Sequence, residues 1–397
     1  AGLAPSDPTR PESMLARGRP EIIARRTVAA VLLALVPSSA GPSGHELERL
    51  WLRFQAAYRR AYPSEEVRRH RFAAFRANVM MAAELNARQG IECSDLFDGR
   101  GCVFGVTKYS DEWPEELRQA LLPRRPSLAG PRSRVPVLGA PPPDSPGEKV
   151  VDWRSRGAVT AVNFQDKCGS CWAFSIAQQM ESAFFLSTGR LRRLSQQQIV
   201  SCDEGCVDGV GDCGCGGGDV VSGCEYVRSA GGLPAAESYP DTSSPSGVSG
   251  NCTPGIAPAV GLRSYGFAVA PCNHSRDPRD ERPCDAQDEL GLARVVALRG
   301  PVSVSLTWGP GWWMYKGGVY DLPCSNLVAD IDHAMQIVGY DMSGDEPYWI
   351  VRNTFGADWG IGGYIHLAMG KNTCGIANEA VLMEVAPAGP ETMEVVV

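Results

Sequence analysis

The chain has 397 residues, with 44 Gly, 30 Pro, 14 Cys and a net charge of −7 from Asp+Glu 45 against Lys+Arg 38. Apolar residues make up 44%, enough to bury a core and to exclude wholesale disorder. No apolar run reaches the roughly 20 residues of a bilayer crossing, and fourteen cysteines point away from a reducing cytosol to an exported setting. Residues 1–146 carry 21 basic and 16 acidic side chains, whereas residues 147–397 carry 17 and 29. The acidic part argues against a nucleic-acid partner, and the two parts are expected to attract each other.

In chain order, Arg25-Arg26, the apolar run Val28 to Val36 and Pro37-Ser38-Ser39-Ala40 predict a secretory signal cleaved after Ala40. From Glu46 to Ala61, Leu47, Leu50, Trp51, Phe54 and Tyr58 recur at spacings of three and four, one face of a helix. Ser64, with Glu65 and Glu66 behind it, predicts the start of a second helix that runs toward Asn86. Pro123 to Gly147 is rich in Pro and Arg and reads as an exposed, protease-sensitive linker. Beyond it come a helical pattern from Cys171 to Leu186 and strand-like runs Val302–Leu306, Met335–Tyr340 and Tyr348–Val351. The tail after Ala386 is expected to be unstructured.

The string Gln165-Asp166-Lys167-Cys168-Gly169-Ser170-Cys171-Trp172 carries the chemistry. Cys171 opens a predicted helix, where unpartnered N–H groups and the helix dipole favour a thiolate. A thiolate that cleaves amides needs a cationic partner that can return a proton. His333, just before an apolar strand, has the best setting of the five histidines, and Asn353, after the next strand, could orient its ring. A zinc site from Cys202, Cys206, Cys213 and Cys215 is an alternative use of those residues. Gly214 to Gly218 lacks the following Lys-Ser/Thr of a phosphate loop.

At Cys168-Gly169-Ser170-Cys171-Trp172, and in the order Cys171, His333, Asn353, the chain resembles the papain-like cysteine proteases. The resemblance implies Cys171 as nucleophile, His333 as general base and acid, Asn353 as its orienter, and Gln165 with the Cys171 N–H as oxyanion donors. Arg71, Phe75, Asn78 and Asn86, then Gly105, Thr107, Tyr109 and Asp111, resemble the two prosegment motifs of cathepsin L-like enzymes, with Val67 and Ala82 as departures and Thr107 and Tyr109 standing for Asn and Phe. The implied fold is α+β: a papain-like two-domain fold, with a helical left domain carrying Cys171 and a strand-rich, barrel-like right domain carrying His333 and Asn353. A helical inhibitory prodomain precedes it. The implied division is a signal region (1–40), prodomain (41–122), linker with activation site (123–146) and peptidase domain (147–397).

The resemblance further implies the bridges Cys168–Cys215, Cys202–Cys252 and Cys324–Cys374. Cys206–Cys213, Cys272–Cys284 and Cys93–Cys102 are plausible local pairs, which would leave Cys224 as a buried thiol beside Cys171. Gly217 and Gly218 would pair with an extended substrate. Ile331, Ala334 and Ser305 would wall the pocket for the second residue on the acyl side of the scissile bond, Glu379 would floor it, and Trp359 would line the cleft. Such a pocket takes an apolar residue or Arg. Phe355 stands where the family has a Trp that shields the His–Asn pair, and Asp166 and Lys167 replace smaller residues. Asn251 and Asn273 lie in glycosylation sequons. The expectation is therefore a cysteine endopeptidase made as a monomeric zymogen in the secretory pathway, for an acidic lysosome- or vacuole-like compartment or the exterior. Its partners are polypeptide substrates and its own prosegment; it uses no metal or cofactor. The rivals are an exopeptidase and a catalytically silent binding protein of the same fold.

Overall fold

The structure, a computed structural model, describes residues 41–122, 135–139, 148–207 and 211–388. The expected signal region and most of the expected linker lie outside these residues. Helix α1 (Gly44–Ala57) starts in a capping box, Ser43 accepting from the Glu46 N–H while the Ser43 N–H donates to Glu46. Helix α2 (Glu65–Arg88) is capped by Ser64 as its sequence predicts. The apolar face of α1 meets α2 through tilted rings: Trp51 and Phe54 each lie 5.1 Å from Phe75. A third helix, α3 (Pro114–Leu121), begins with Pro at its first turn, where a missing N–H does no harm.

The prosegment motif residues tie these helices to the chain that follows. Arg71 bonds Glu112 and Glu116 at 2.7 and 2.6 Å. Asn78 donates to the Ser110 and Glu112 carbonyls, and Asn86 brackets Phe104 by donating to its carbonyl and accepting from its N–H. Gly105 allows a close crossing, because a Cβ there would sit 2.2 Å from the Leu96 carbonyl oxygen. The crossing brings Phe104 into a bridge with Tyr315, and Trp313 donates its indole N–H to Asn78. Thr107 donates its hydroxyl to the Trp313 carbonyl.

The second part begins with β1 (Val150–Asp152), α4 (Cys171–Thr188), α5 (Gln196–Cys202), α6 (Val220–Ser229), the single turn α7 (Ser243–Ser246), β2 (Val260–Phe267) and α8 (Glu289–Arg299). Then follow β3 (Val302–Leu306), β4 (Val319–Tyr320), β5 (His333–Asp341), β6 (Tyr348–Arg352), β7 (Tyr364–Ala368) and β8 (Glu379–Pro387). The sheet order is β2-β8-β3-β5-β6-β7-β4, with β3 on the first half of β5 and β1 on its second half. All pairs are antiparallel except β4 with β7. The sheet is open between β2 and β4, so the barrel-like half expected from sequence is not a closed barrel.

Helix α4 is buried from Cys171 to Ser182 and packs Trp172, Ile176 and Met180 with Ile199 of α5 and Val227 of α6 in one apolar cluster. It ends at Gly189, whose φ of 72° is the left-handed cap that glycine adopts without strain. Two expectations need correction. Part of the linker is not loose: Pro136 accepts from the Phe267 N–H and Leu138 donates to the Phe267 carbonyl, because β2 offers a free sheet edge. At the other end, β8 carries order one residue past Ala386, to Pro387.

Candidate active site

Cys171 is the first residue of α4 and His333 the first of β5. One turn into α4, Ser175 donates its hydroxyl to the Met335 carbonyl at 2.6 Å, and Ala334 packs in the same cluster as Cys171. The nucleophile's helix and the histidine's strand are thus laced together at their starts. His333 Nε2 lies 2.9 Å from Asn353 Oδ1, both side chains fully buried. Phe355 covers this pair, its ring centroid 5.3 Å from that of His333, and is itself abutted by Trp359 at 5.5 Å, Trp308 at 6.2 Å and Tyr109 of the prosegment at 5.8 Å. The smaller ring thus borrows its cover from three neighbours. Trp359, expected along the cleft, is fully buried behind Phe355, its indole N–H donating to the Trp312 carbonyl.

Gln165 sits beside the triad: its N–H donates to the Thr354 carbonyl at 2.9 Å and its Oε1 accepts from the Thr354 hydroxyl. Its amide Nε2 donates to the Cys168 carbonyl and, at 3.0 Å, to the carbonyl of Leu121 at the end of α3. A peptide group of the N-terminal helical part therefore occupies the Gln165 amide. Asp166 holds a φ of 46°, a left-handed position that Asp tolerates better than most residues but Gly best, which accounts for a small residue in the family pattern.

Three of the four residues expected to form the pocket are brought together. Ala334, Ser305 and Glu379 stand opposite one another on the adjacent strands β5, β3 and β8. Ile331 packs with Val328, Cys272 and Cys284. Gly217 and Gly218 follow the short helical turn at Gly214–Gly216, and a Cβ on Gly218 would strike the Trp172 ring at 2.4 Å. Glycine is needed there to admit Trp172, a tighter reason than clearance for substrate.

Sequence reasoning missed five side chains. Arg352, just before Asn353, is fully buried and donates to the Ala161 carbonyl, Thr160 and Asn163. Glu181 of α4 answers it: burial raises its pKa, against the pull of the Arg352 charge. Asp219 caps α6 directly after Gly218, and Arg276 reaches both Asp219 and Glu379. Their partners are far away in sequence, so no local motif announces them. Asp212 accepts from the Asp219 N–H at 2.7 Å, and burial, with the neighbouring Asp203 charge, pushes its pKa up to about 7.

All six expected bridges form: Cys93–Cys102, Cys168–Cys215, Cys202–Cys252, Cys206–Cys213, Cys272–Cys284 and Cys324–Cys374. Cys202, Cys206, Cys213 and Cys215 are each consumed in a bridge, which removes the thiolates a zinc site would use. Cys171 and Cys224 remain as buried thiols, and burial holds the Cys224 pKa well above the ordinary range, which keeps it inert.

Comparison with known proteins agrees with this geometry. Residues 147–384 match the model of the papain family cysteine protease, and residues 51–117 match that of the cathepsin propeptide inhibitor domain. The chain is 33% identical over 367 residues to cysteine proteinase 1 of Dictyostelium discoideum, covering 88% of this chain and 96% of that protein. It is equally 33% identical over 365 residues to cathepsin L of Sarcophaga peregrina, covering 89% and 97%. Among solved structures, digestive procathepsin L2 proteinase from Tenebrio molitor larval midgut superposes with a TM-score of 0.68 at 28% identity, over 85% of this chain and 99% of that one. The recombinant stem bromelain precursor gives 0.65 at 25% identity, over 85% and 98%. The chain belongs to the papain family of cysteine proteases and is a cathepsin L-like precursor with its propeptide inhibitor domain attached.

Proposed function

We propose that the mature enzyme is an endopeptidase that works through a Cys171 thiolate and an acyl-enzyme. The observation that carries this is the buried His333–Asn353 pair at 2.9 Å, at the start of the strand laced to the helix that Cys171 opens. With Nε2 held by Asn353, His333 exchanges protons through Nδ1. Cys171 Sγ attacks the scissile carbonyl while Gln165 Nε2 and the Cys171 N–H take the oxyanion's charge. His333 then protonates the leaving amine, the C–N bond breaks, and an acyl-thioester forms. In the second half, His333 takes a proton from water, the hydroxide adds to the thioester, and the carboxylic acid product leaves as Sγ regains its charge.

Gly217 is the backbone against which an extended substrate would lie. The second acyl-side residue would enter between Ile331, Ala334 and Ser305, which suits Leu or Phe, and Glu379 is a carboxylate for Arg if it is open to substrate. The division at 40, 122 and 146 is retained, with activation cleavage between 123 and 146. Asn251 and Asn273 are both exposed, as glycan acceptors on an exported protein must be. The six disulfides support the secretory pathway and an acidic or extracellular destination.

The decisive experiment uses Cys171→Ala, matured in trans, beside the wild type. The wild type should hydrolyse a peptide blocked at both ends and be labelled by an active-site epoxide. The variant should do neither while keeping its thermal transition, because loss of the nucleophile removes most of the catalysis at once, to below about one per cent. An unlabelled wild type would favour a silent binding protein; release of terminal dipeptides alone would favour an exopeptidase.

A further inference from the structure

The loop closed by Cys272–Cys284 carries three arginines, and they are used differently. Arg279 pairs with Asp277 and Arg282 with Asp280, both within the loop, and both of these arginine side chains face solvent. Arg276 turns inward. Its side chain is 10% exposed, and its Nη2 lies 2.8 Å from Asp219 Oδ2 and 2.6 Å from Glu379 Oε2, carboxylates that are 4% and 2% exposed. These two acids come from separate elements, Asp219 from the cap of α6 after Gly218 and Glu379 from the start of β8 beside Ser305. Two carboxylates that converge out of water need a shared cation, and a planar guanidinium supplies donors to both.

The loop that delivers Arg276 is fastened at both ends. The Cys272 N–H donates to the Asn378 carbonyl at 3.0 Å, and the Cys284 carbonyl accepts from Asn372 at 2.7 Å. The disulfide between them packs on Ile331, itself a wall of the pocket.

We propose that Arg276 is a specificity-determining residue: its guanidinium fills the acidic end of the second acyl-side pocket, so that the enzyme takes peptides with Leu or Phe there and rejects Arg. The proposal rests on the reading of Glu379 as the pocket floor. A substrate Arg would have to displace a cation that the loop holds at high effective concentration. An apolar side chain has only to fit between Ile331, Ala334 and the aliphatic stem of Arg276.

The test compares two fluorogenic peptides that differ only in Phe or Arg at the second acyl-side position. Wild-type mature enzyme should favour Phe by about tenfold or more, and Arg276→Met, which keeps the stem, should shift the Arg-to-Phe ratio of kcat/KM toward Arg by about tenfold or more. Adding Glu379→Gln to Arg276→Met should abolish that shift. A ratio unmoved by Arg276→Met overturns the proposal. Should the variant not fold, the wild type alone decides: competition by acetyl-phenylalanine amide but not acetyl-arginine amide is expected, and equal competition overturns the idea. Hydrolysis of neither peptide by the titrated wild type would instead remove the protease reading, and the proposal with it.

Discussion

His333 is oriented by a neutral amide, and this has a cost and a use. Asn353 Oδ1 accepts from His333 and from the Thr354 N–H at 2.8 Å, so the orienter is itself fixed. It brings no charge, so in the proposed mechanism the thiolate balances the imidazolium. Asn353→Ala should lower kcat/KM by about 10- to 100-fold, less than the ~10²- to 10⁴-fold that general acid–base catalysis supplies. Steady-state kinetics normalised by active-site titration would check this; an unchanged value would show that packing under Phe355 orients the ring unaided. The residues proposed for catalysis stand out in the sequence because Cys171 at a helix start and His333 at a strand start sit in short, dense strings. Arg276 does not, since its partners lie 57 and 103 residues away and only the folded chain brings them together.

At the level of elements, α1 was legible from its apolar period, α2 from its Ser64 cap and acidic first turn, and β3, β5 and β6 from short strand-like runs. Helix α4 was expected from an apolar helical period over Cys171 to Leu186, yet it is buried on almost every side and so lacks the polar stripe of a surface helix. Helix α3 escaped notice, being eight residues long with a Pro at its start. The prodomain core rests on few side chains: Trp51, Phe54, Phe75 and Val79 are buried together between α1 and α2. Phe54→Ala should remove about 3–5 kcal/mol from that core. The expected result is a precursor that converts to active enzyme at neutral pH, where the wild type does not, followed by gel and activity assays. Conversion at the wild-type rate would show that inhibition does not depend on this core.

For the whole molecule, the charge split shifts its meaning once the prodomain is isolated. Residues 41–122 carry twelve basic and twelve acidic side chains, so the excess positive charge of residues 1–146 lies in residues 1–40 and 123–146. Attraction between net charges therefore does not hold the prodomain down; particular contacts do, such as Lys108 with Asp358 at 2.6 Å and Arg118 with Asp332. Its acid response follows from its own carboxyls. Burial pushes Asp95 up, but the Asp98 and Phe97 N–H groups and the Arg53 charge outweigh it and hold the carboxyl below its usual range. Glu116 behaves alike, its burial outweighed by the Trp113 N–H and by Arg71. Such lowered groups add stability above the ordinary carboxylate pKa of about 4 and lose it as pH falls through their folded values. Burial raises Asp111 and Glu112, which has the opposite sign and steadies the prodomain as pH first drops. Conversion should therefore rise steeply below about pH 4 and rise modestly with salt, which screens the partly exposed Lys108–Asp358 and Arg118–Asp332 pairs. A conversion midpoint near pH 6, measured by activity after timed incubation, would refute this assignment.

The brevity of α3 gives maturation a direction. Eight residues fall short of the roughly 12–15 that a lone helix needs in water, so α3 is helical because the enzyme's surface keeps it so. Leu117, Leu121 and Leu122 sit in the enzyme's main apolar cluster, and the Leu121 carbonyl rests on Gln165. If the chain is cut beyond it as proposed and this turn lets go, the freed segment has no template on which to rewind. Returning would require it to re-order and find Gln165 in one step, against substrates that arrive already extended. The plug thus acts as a ratchet: it stays shut while tethered and forgets its shape when released.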